Sequence, residues 1–250
     1  MNIIAIIQAR TGSTRLPNKV LKILYDKTLI EHIIERVEYS KLITDIVVAT
    51  TTLEEDIELV RLLKSKNKNV TTGSSENVLD RFYNTAIYYH ADIIVRITAD
   101  DPFKDPEIID NAIKLLIENN YDYVSNTIKP TFPEGLDIEV FKFKALKIAY
   151  ENAQLNSDKE HVTPYIWKNN NSFKIFNFEY TKDLSQMRWT IDYEEDYKFA
   201  QKIYQELYNK NKIFLFRDIL NLINKKNIIN QANHIRNEGY FKSIKDDNDE

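Results

Sequence analysis

The chain has 250 residues, 43% of them hydrophobic, enough to bury a core in one large domain or two small ones. Four Gly and six Pro exclude collagen-like, linker-like and proline-rich disordered classes, and the absence of Cys excludes disulfide frameworks, thiolate metal sites and a cysteine nucleophile. A net charge of −4 argues against nucleic acid or an acidic membrane as partner, and no apolar run approaches the ~18 residues of a membrane span, so a cytoplasmic globular protein is expected.

Residues 3–7, 46–49 and 93–97 are continuous apolar runs rich in β-branched side chains, as strands buried on both faces require. The first has no positive charge before it and leads into Gln8 and Arg10, so it is a strand and not a signal peptide. Between these runs, Leu29, Ile30, Ile33, Ile34 and Val37 form one helical stripe, and Ile57, Val60 and Leu63 form another. Thr52 with Glu55 has the spacing of a capping box for that second helix. A third helix is predicted over about 76–89, and Asp105-Pro106-Glu107 opens a fourth, running to 119. Such alternation implies an α/β fold, with a mainly parallel sheet and helices on both faces.

The second half is less regular. Leu136, Ile138 and Val140 alternate as a half-buried strand over 135–141, helices are predicted around 142–153 and 159–169, and 173–178 alternates again. A short strand at 188–191 precedes helices over about 193–208 and 216–226, and the acidic end, 245–250, is expected to be disordered. One mixed-sheet domain with an inserted β-rich lobe is the simplest description.

The loop after the first strand carries the clearest chemistry. Doubly wound sheets place ligands at the carboxyl ends of their strands. Residues 1–25 contain Arg10, Arg15, Lys19 and Lys22 and a single acid-free stretch up to Tyr25, so an anionic partner is expected. Gly12, hydroxyl groups and charge-assisted donors together suit a polyphosphate. One glycine is too few for a dinucleotide fingerprint, and Lys19 lacks the glycine spacing of a Walker loop.

The stretch 6–21, IIQARTGSTRLPNKVL, resembles the signature of the cytidylyltransferases that make CMP-activated sugars, and is most similar to the spore-coat polysaccharide (SpsF-type) branch. The likeness extends in order from residue 2 to about 244, through Asn77–Phe82, Arg96–Pro102, Pro133–Phe141, Glu160–Tyr165, Leu184–Asp192 and Asn237–Tyr240. It implies a Rossmann-like nucleotidyltransferase (GT-A-like) fold over 1–244, with a nucleotide-binding half at about 1–125 and an acceptor and dimerisation half at about 126–244. It also implies CTP as donor, Mg²⁺, pyrophosphate release, a small-molecule acceptor and a homodimer. By the same resemblance Arg10, Gly12, Ser13, Arg15 and Lys19 take the triphosphate, with Ala9, Ser75 and Arg81 near the nucleotide. Asp100 and Asp192 fall on the metal-binding aspartates, and Arg10, Lys19, Asp100 and Asp192 are the catalytic set. Ala99 stands where the sugar-acid enzymes have glycine.

Other readings compete with these. Asp192 precedes a helical pattern with Glu195 three residues on, which suits an N-cap as well as a metal. Asp101 could share the metal with Asp100. Glu134, Asp137, Glu139, His161 and Arg188 are candidates for the acceptor, against hairpin-turn and packing roles. A GT-A-type glycosyltransferase would share the sheet but calls for a D-x-D motif where this chain has Asp100-Asp101, and a non-catalytic nucleotide-sugar-binding protein is a third alternative.

Overall fold

A computed structural model describes residues 1–250 apart from 211, 231, 233–235, 237 and 250 and the side chains of 248 and 249. Strand β1 (Ile3–Gln8) turns Ile3, Ala5 and Ile7 to one face of the sheet and Ile4 and Ile6 to the other. All five are buried, which explains a strand without polar alternation. A small hairpin, β2 (Ile23–Leu24) and β3 (Lys27–Thr28), leads into α1 (Leu29–Glu38). Then follow β4 (Asp45–Thr51), α2 (Ile57–Ser65), β5 (Asn69–Gly73), α3 (Val78–Tyr88), β6 (Ile93–Thr98) and α4 (Pro106–Glu118). The second half supplies β7 (Tyr123–Ser125), β8 (Glu139–Lys142), α5 (Phe143–Asn152), α6 (Asn156–His161), α7 (Pro164–Lys168), β9 (Ile175–Asn177), α8 (Glu194–Leu207), α9 (Phe216–Lys226) and α10 (Glu238–Asp249).

Seven strands form one sheet in the order β5-β4-β1-β6-β8-β7-β9, parallel except where β8 runs against β6 and β7. The β-rich part of the second half thus joins the same sheet. One face is covered by α1, α2, α4, α8 and α9, the other by α3, α5 and α7, each over its own apolar cluster. A fully buried Ile or Leu in either cluster contributes about 1.5–3 kcal/mol. The chain leaves β1 toward β4 on one side and returns at β6 on the other, so the crevice at the carboxyl ends of β1 and β6 is a topological switch point. Among the described residues no helix is long and apolar enough to cross a membrane.

Several local expectations are corrected. The capping box forms one helix earlier: Thr28 accepts from the Glu31 amide and Glu31 from the Thr28 amide, whereas 54–56 is a short 3-10 turn before α2. The 159–169 helix is two short ones. Val162, at φ 70° and ψ −51°, makes a γ-turn with Thr163 N donating to His161 O at 2.8 Å, and Pro164 restarts the helix from its first position. Residues 188–191 make no strand. They form a clamp, with Trp189 N donating to Glu134 O at 2.7 Å and Ile191 N to Asp100 O at 2.8 Å. The acidic end through 249 lies in α10, and the Asp247 carboxylate accepts from the Ser157 amide at the start of α6, where an anion meets the positive helix terminus. Residue 250 and Asn237 of the terminal motif lie outside the described residues.

Candidate active site

The first loop is tied down from behind. Asp56 Oδ1 accepts from the amide and hydroxyl of Thr11 at 2.7 Å each, and Thr11 O accepts from Ser13 N at 2.7 Å and Asn18 N at 3.2 Å. Hydrogen bonding from Thr51 and Thr11 outweighs burial and keeps the Asp56 carboxyl below its ordinary pKa, so the anchor is ionised. This leaves Ala9, Arg10, Ser13, Arg15 and Lys19 facing a cleft of about 640 Å³, closed on its far wall by Ser75 and Arg81. Gly12 does not line it. A Cβ there would meet the carboxylate end of the Glu55 side chain.

At the inner end of the cleft the ammonium of Lys19 donates to Asp192 Oδ1 at 2.8 Å, Asp100 Oδ2 at 3.1 Å and Ile191 O at 3.0 Å. Burial alone would lower the Lys19 pKa, but the two carboxylates raise it, so it stays charged. Burial likewise pushes the Asp100 carboxyl up, yet Lys19 and the Thr98 hydroxyl hold it at about 2. Asp192 is no helix cap. Asp196 Oδ2 takes the Asp192 and Tyr193 amides at 3.0 Å each, which frees Asp192 to bind Lys19, Arg15 (3.0 Å) and Arg188 (3.0 Å). Asp101 is buried, with its carboxylate 2.7 Å from the Lys104 ammonium.

Beyond this partition lies a second cavity of about 560 Å³, and Gln8, Arg15, Thr98, Asp100, His161 and Asp192 line both. The five acceptor candidates all face it. Glu139 is held by Arg96, Tyr123 and Thr163, and Arg188 donates to Glu134 (2.7 Å), Asp192 and Asp196. A two-chambered cleft, cationic at one mouth and with two aspartates at the partition, can hold a triphosphate end-on to a second molecule.

The cytidylyltransferase profile matches residues 4–219. An uncharacterised protein of Methanocaldococcus jannaschii is 43% identical over 96% of this chain and 98% of its own length. The spore coat polysaccharide biosynthesis protein SpsF of Bacillus subtilis is 34% identical, covering 82% of this chain and 87% of that protein. The chain belongs to the cytidylyltransferase family. It is thus a CTP-dependent nucleotidyltransferase, and the solved structure of a cytidylyltransferase from Leptospira borgpetersenii superposes with a TM-score of 0.88 at 32% identity, over 94% of this chain and 99% of that one.

Sequence reasoning missed several residues of this cytidylyltransferase's cleft. Arg96 interrupts the apolar run of β6 and meets Glu139 across the sheet, a polar residue in a buried strand being the one signal available. Lys104 is 1% exposed, and Arg236 reaches Asp137 from the far end of the chain. Burial raises the Asp137 pKa against the opposing charge of Arg236. Arg81 is buried with its guanidinium on Ser74 O at 2.6 Å, and burial with the nearby charge of Arg10 lowers its pKa to about 10.

His161 donates to or accepts from Ser243 Oγ at 3.0 Å, and its pKa falls to about 4 through burial first and then the charge of Arg96, against Glu139. Its folded pKa lies below the ordinary 6.5, so below that pH the unfolded chain binds a proton that the folded one refuses. Stability is therefore full above pH 6.5 and falls as the pH drops toward 4, by up to about 3 kcal/mol from this group. His32 is also depressed and acts with the same sign. Urea unfolding between pH 7 and 5 is expected to show a shallower loss in His161→Asn than in the unmodified protein; equal slopes would refute the assignment.

Proposed function

We propose that the protein transfers CMP from CTP to an oxygen of a sugar acid, sugar phosphate or related phosphorylated acceptor, for synthesis of a surface polysaccharide. The observation that carries this reading is the partition: Lys19, Asp100 and Asp192 stand where the chamber lined by the basic loop meets the chamber lined by Glu134, Asp137 and His161. The acceptor oxygen attacks the α-phosphorus in line, its new bond to phosphorus forms as the bond to the β-phosphate oxygen breaks, and the electron pair leaves with pyrophosphate. Arg10, Arg15 and Lys19 hold the leaving phosphates, so catalysis is positioning and charge stabilisation.

The donors at the partition fit Mg²⁺. Asp100 and Asp192 present oxygen only, and among the described residues no three His, Cys, Asp or Glu side chains converge on a metal position. One or two carboxylates completed by phosphate oxygens and water is the usual set for this ion. When bound, it would neutralise charge developing at the α-phosphate. The same reading makes the protein a cytoplasmic homodimer, for which exposed Ile128 and Phe241 beside the acceptor chamber offer apolar area.

A pyrophosphate-release screen of four nucleoside triphosphates against sugar acids, sugar phosphates and neutral sugars, with Mg²⁺, tests the proposal. Release is expected with CTP and one acidic or phosphorylated class alone. Transfer from a nucleotide sugar with release of nucleoside diphosphate would instead establish a glycosyltransferase.

A further inference from the structure

The partition is crowded with positive charge. The three hydrogens of the Lys19 ammonium are matched by three acceptors, Asp192 Oδ1, Asp100 Oδ2 and Ile191 O, all within 3.1 Å. The same Asp192 oxygen lies 3.0 Å from Arg15, and its other oxygen 3.0 Å from Arg188. Any divalent ion approaching Asp100 and Asp192 would have to displace that ammonium, face two guanidinium groups, and find among the described residues no third carboxylate to compensate.

We propose that Lys19 is a stand-in cation: its ammonium occupies the position between Asp100 and Asp192 in the nucleotide-free protein, so a divalent metal ion is admitted only together with the nucleotide's phosphates. This rests on the reading of the two aspartates as the metal-binding pair. A triphosphate brings the missing oxygen ligands and the negative charge that draws Lys19 and Arg15 off the aspartates. One cation then leaves as another enters, and the carboxylates at the partition are never left unpaired, which would be costly for groups with side chains only 14% and 28% exposed. The protein would thereby select the metal–nucleotide complex and discriminate against free metal.

The test uses the full-length protein and Mn²⁺, with binding read by water-proton relaxation. Nucleotide-free wild type is expected to bind Mn²⁺ weakly, and Lys19→Met about tenfold tighter or more. Combining Lys19→Met with Asp192→Asn should abolish the gain. Lys22→Met removes the same charge from the same loop, but that ammonium lies over the Tyr197 ring at 5.1 Å, so it should bind as wild type does. Lys19→Gln is read in the same way if circular dichroism shows Lys19→Met unfolded. A second arm saturates the wild type with α,β-methylene-CTP, where Mn²⁺ should be held and lost again in Asp192→Asn. If that arm behaves so but nucleotide-free Lys19→Met binds no better than wild type, or Lys22→Met binds as well as Lys19→Met, the stand-in role is overturned alone. If the analogue elicits no Asp192-dependent binding, the metal reading falls and this inference with it.

Discussion

Asp100→Ala is expected to lower turnover about a thousandfold or more while the protein stays folded. The carboxylate is ionised at any working pH, being held at about 2, and it stands at the end of β6 where both chambers open. Its structural duties are modest by comparison. The backbone bond from Ile191 N to Asp100 O survives the substitution, and Lys19 keeps Asp192 and Ile191 O as partners. Loss of this largely buried ion pair should cost about 2–3 kcal/mol, which leaves the protein folded. Pyrophosphate release and urea unfolding on the same preparation separate the effects. A turnover number near wild type would remove Asp100 from the chemistry, and a parallel collapse of stability would make it a structural residue.

What the sequence disclosed about this site follows from which interactions are local. The strands β1, β4 and β6 are legible because burial on both faces leaves continuous β-branched runs, and α4 because Asp105 and Pro106 mark its start; Asp105 Oδ1 does accept from Glu107 N at 2.8 Å. The basic loop is legible for the same reason, since its cations are close in the chain. The pairing of Lys19 with Asp100 and Asp192 is not, because those residues lie 81 and 173 positions away and meet only through the order of strands. Arg96 and Glu139 are brought opposite each other by the antiparallel register of β6 and β8, and Arg236 reaches Asp137 only after the chain has crossed the molecule. The helix-cap alternative for Asp192 failed by one residue: Tyr193 takes the N-cap position, and Asp196, inside α8, reaches back to the free amides. The Val162 γ-turn left no signal beyond Pro164, because a β-branched residue at positive φ is held there by its burial and not by its own preference.

The largest stability effect is expected from Gly135→Ala. Gly135 has φ +101°, where an L side chain is strained, and a Cβ would lie 2.7 Å from the Trp189 carbonyl carbon and 2.8 Å from Thr190 N. Both atoms belong to backbone, and the extended segment they sit on is fixed on each side: Glu134 N donates to Met187 O at 2.9 Å and Trp189 N to Glu134 O at 2.7 Å. Relief of the clash must open that clamp, so a loss of about 3 kcal/mol or more is expected in urea unfolding. The clamp also carries Arg188 to Glu134 and Ile191 to Asp100, so a shift there moves both aspartates of the partition, and any folded fraction should lose activity as well. Gly12→Ala provides the contrast, since its Cβ meets only the movable end of Glu55 and should leave stability within about 1 kcal/mol of wild type. Equal stability losses at the two positions would show that the close backbone approach at Gly135 is not what requires glycine there.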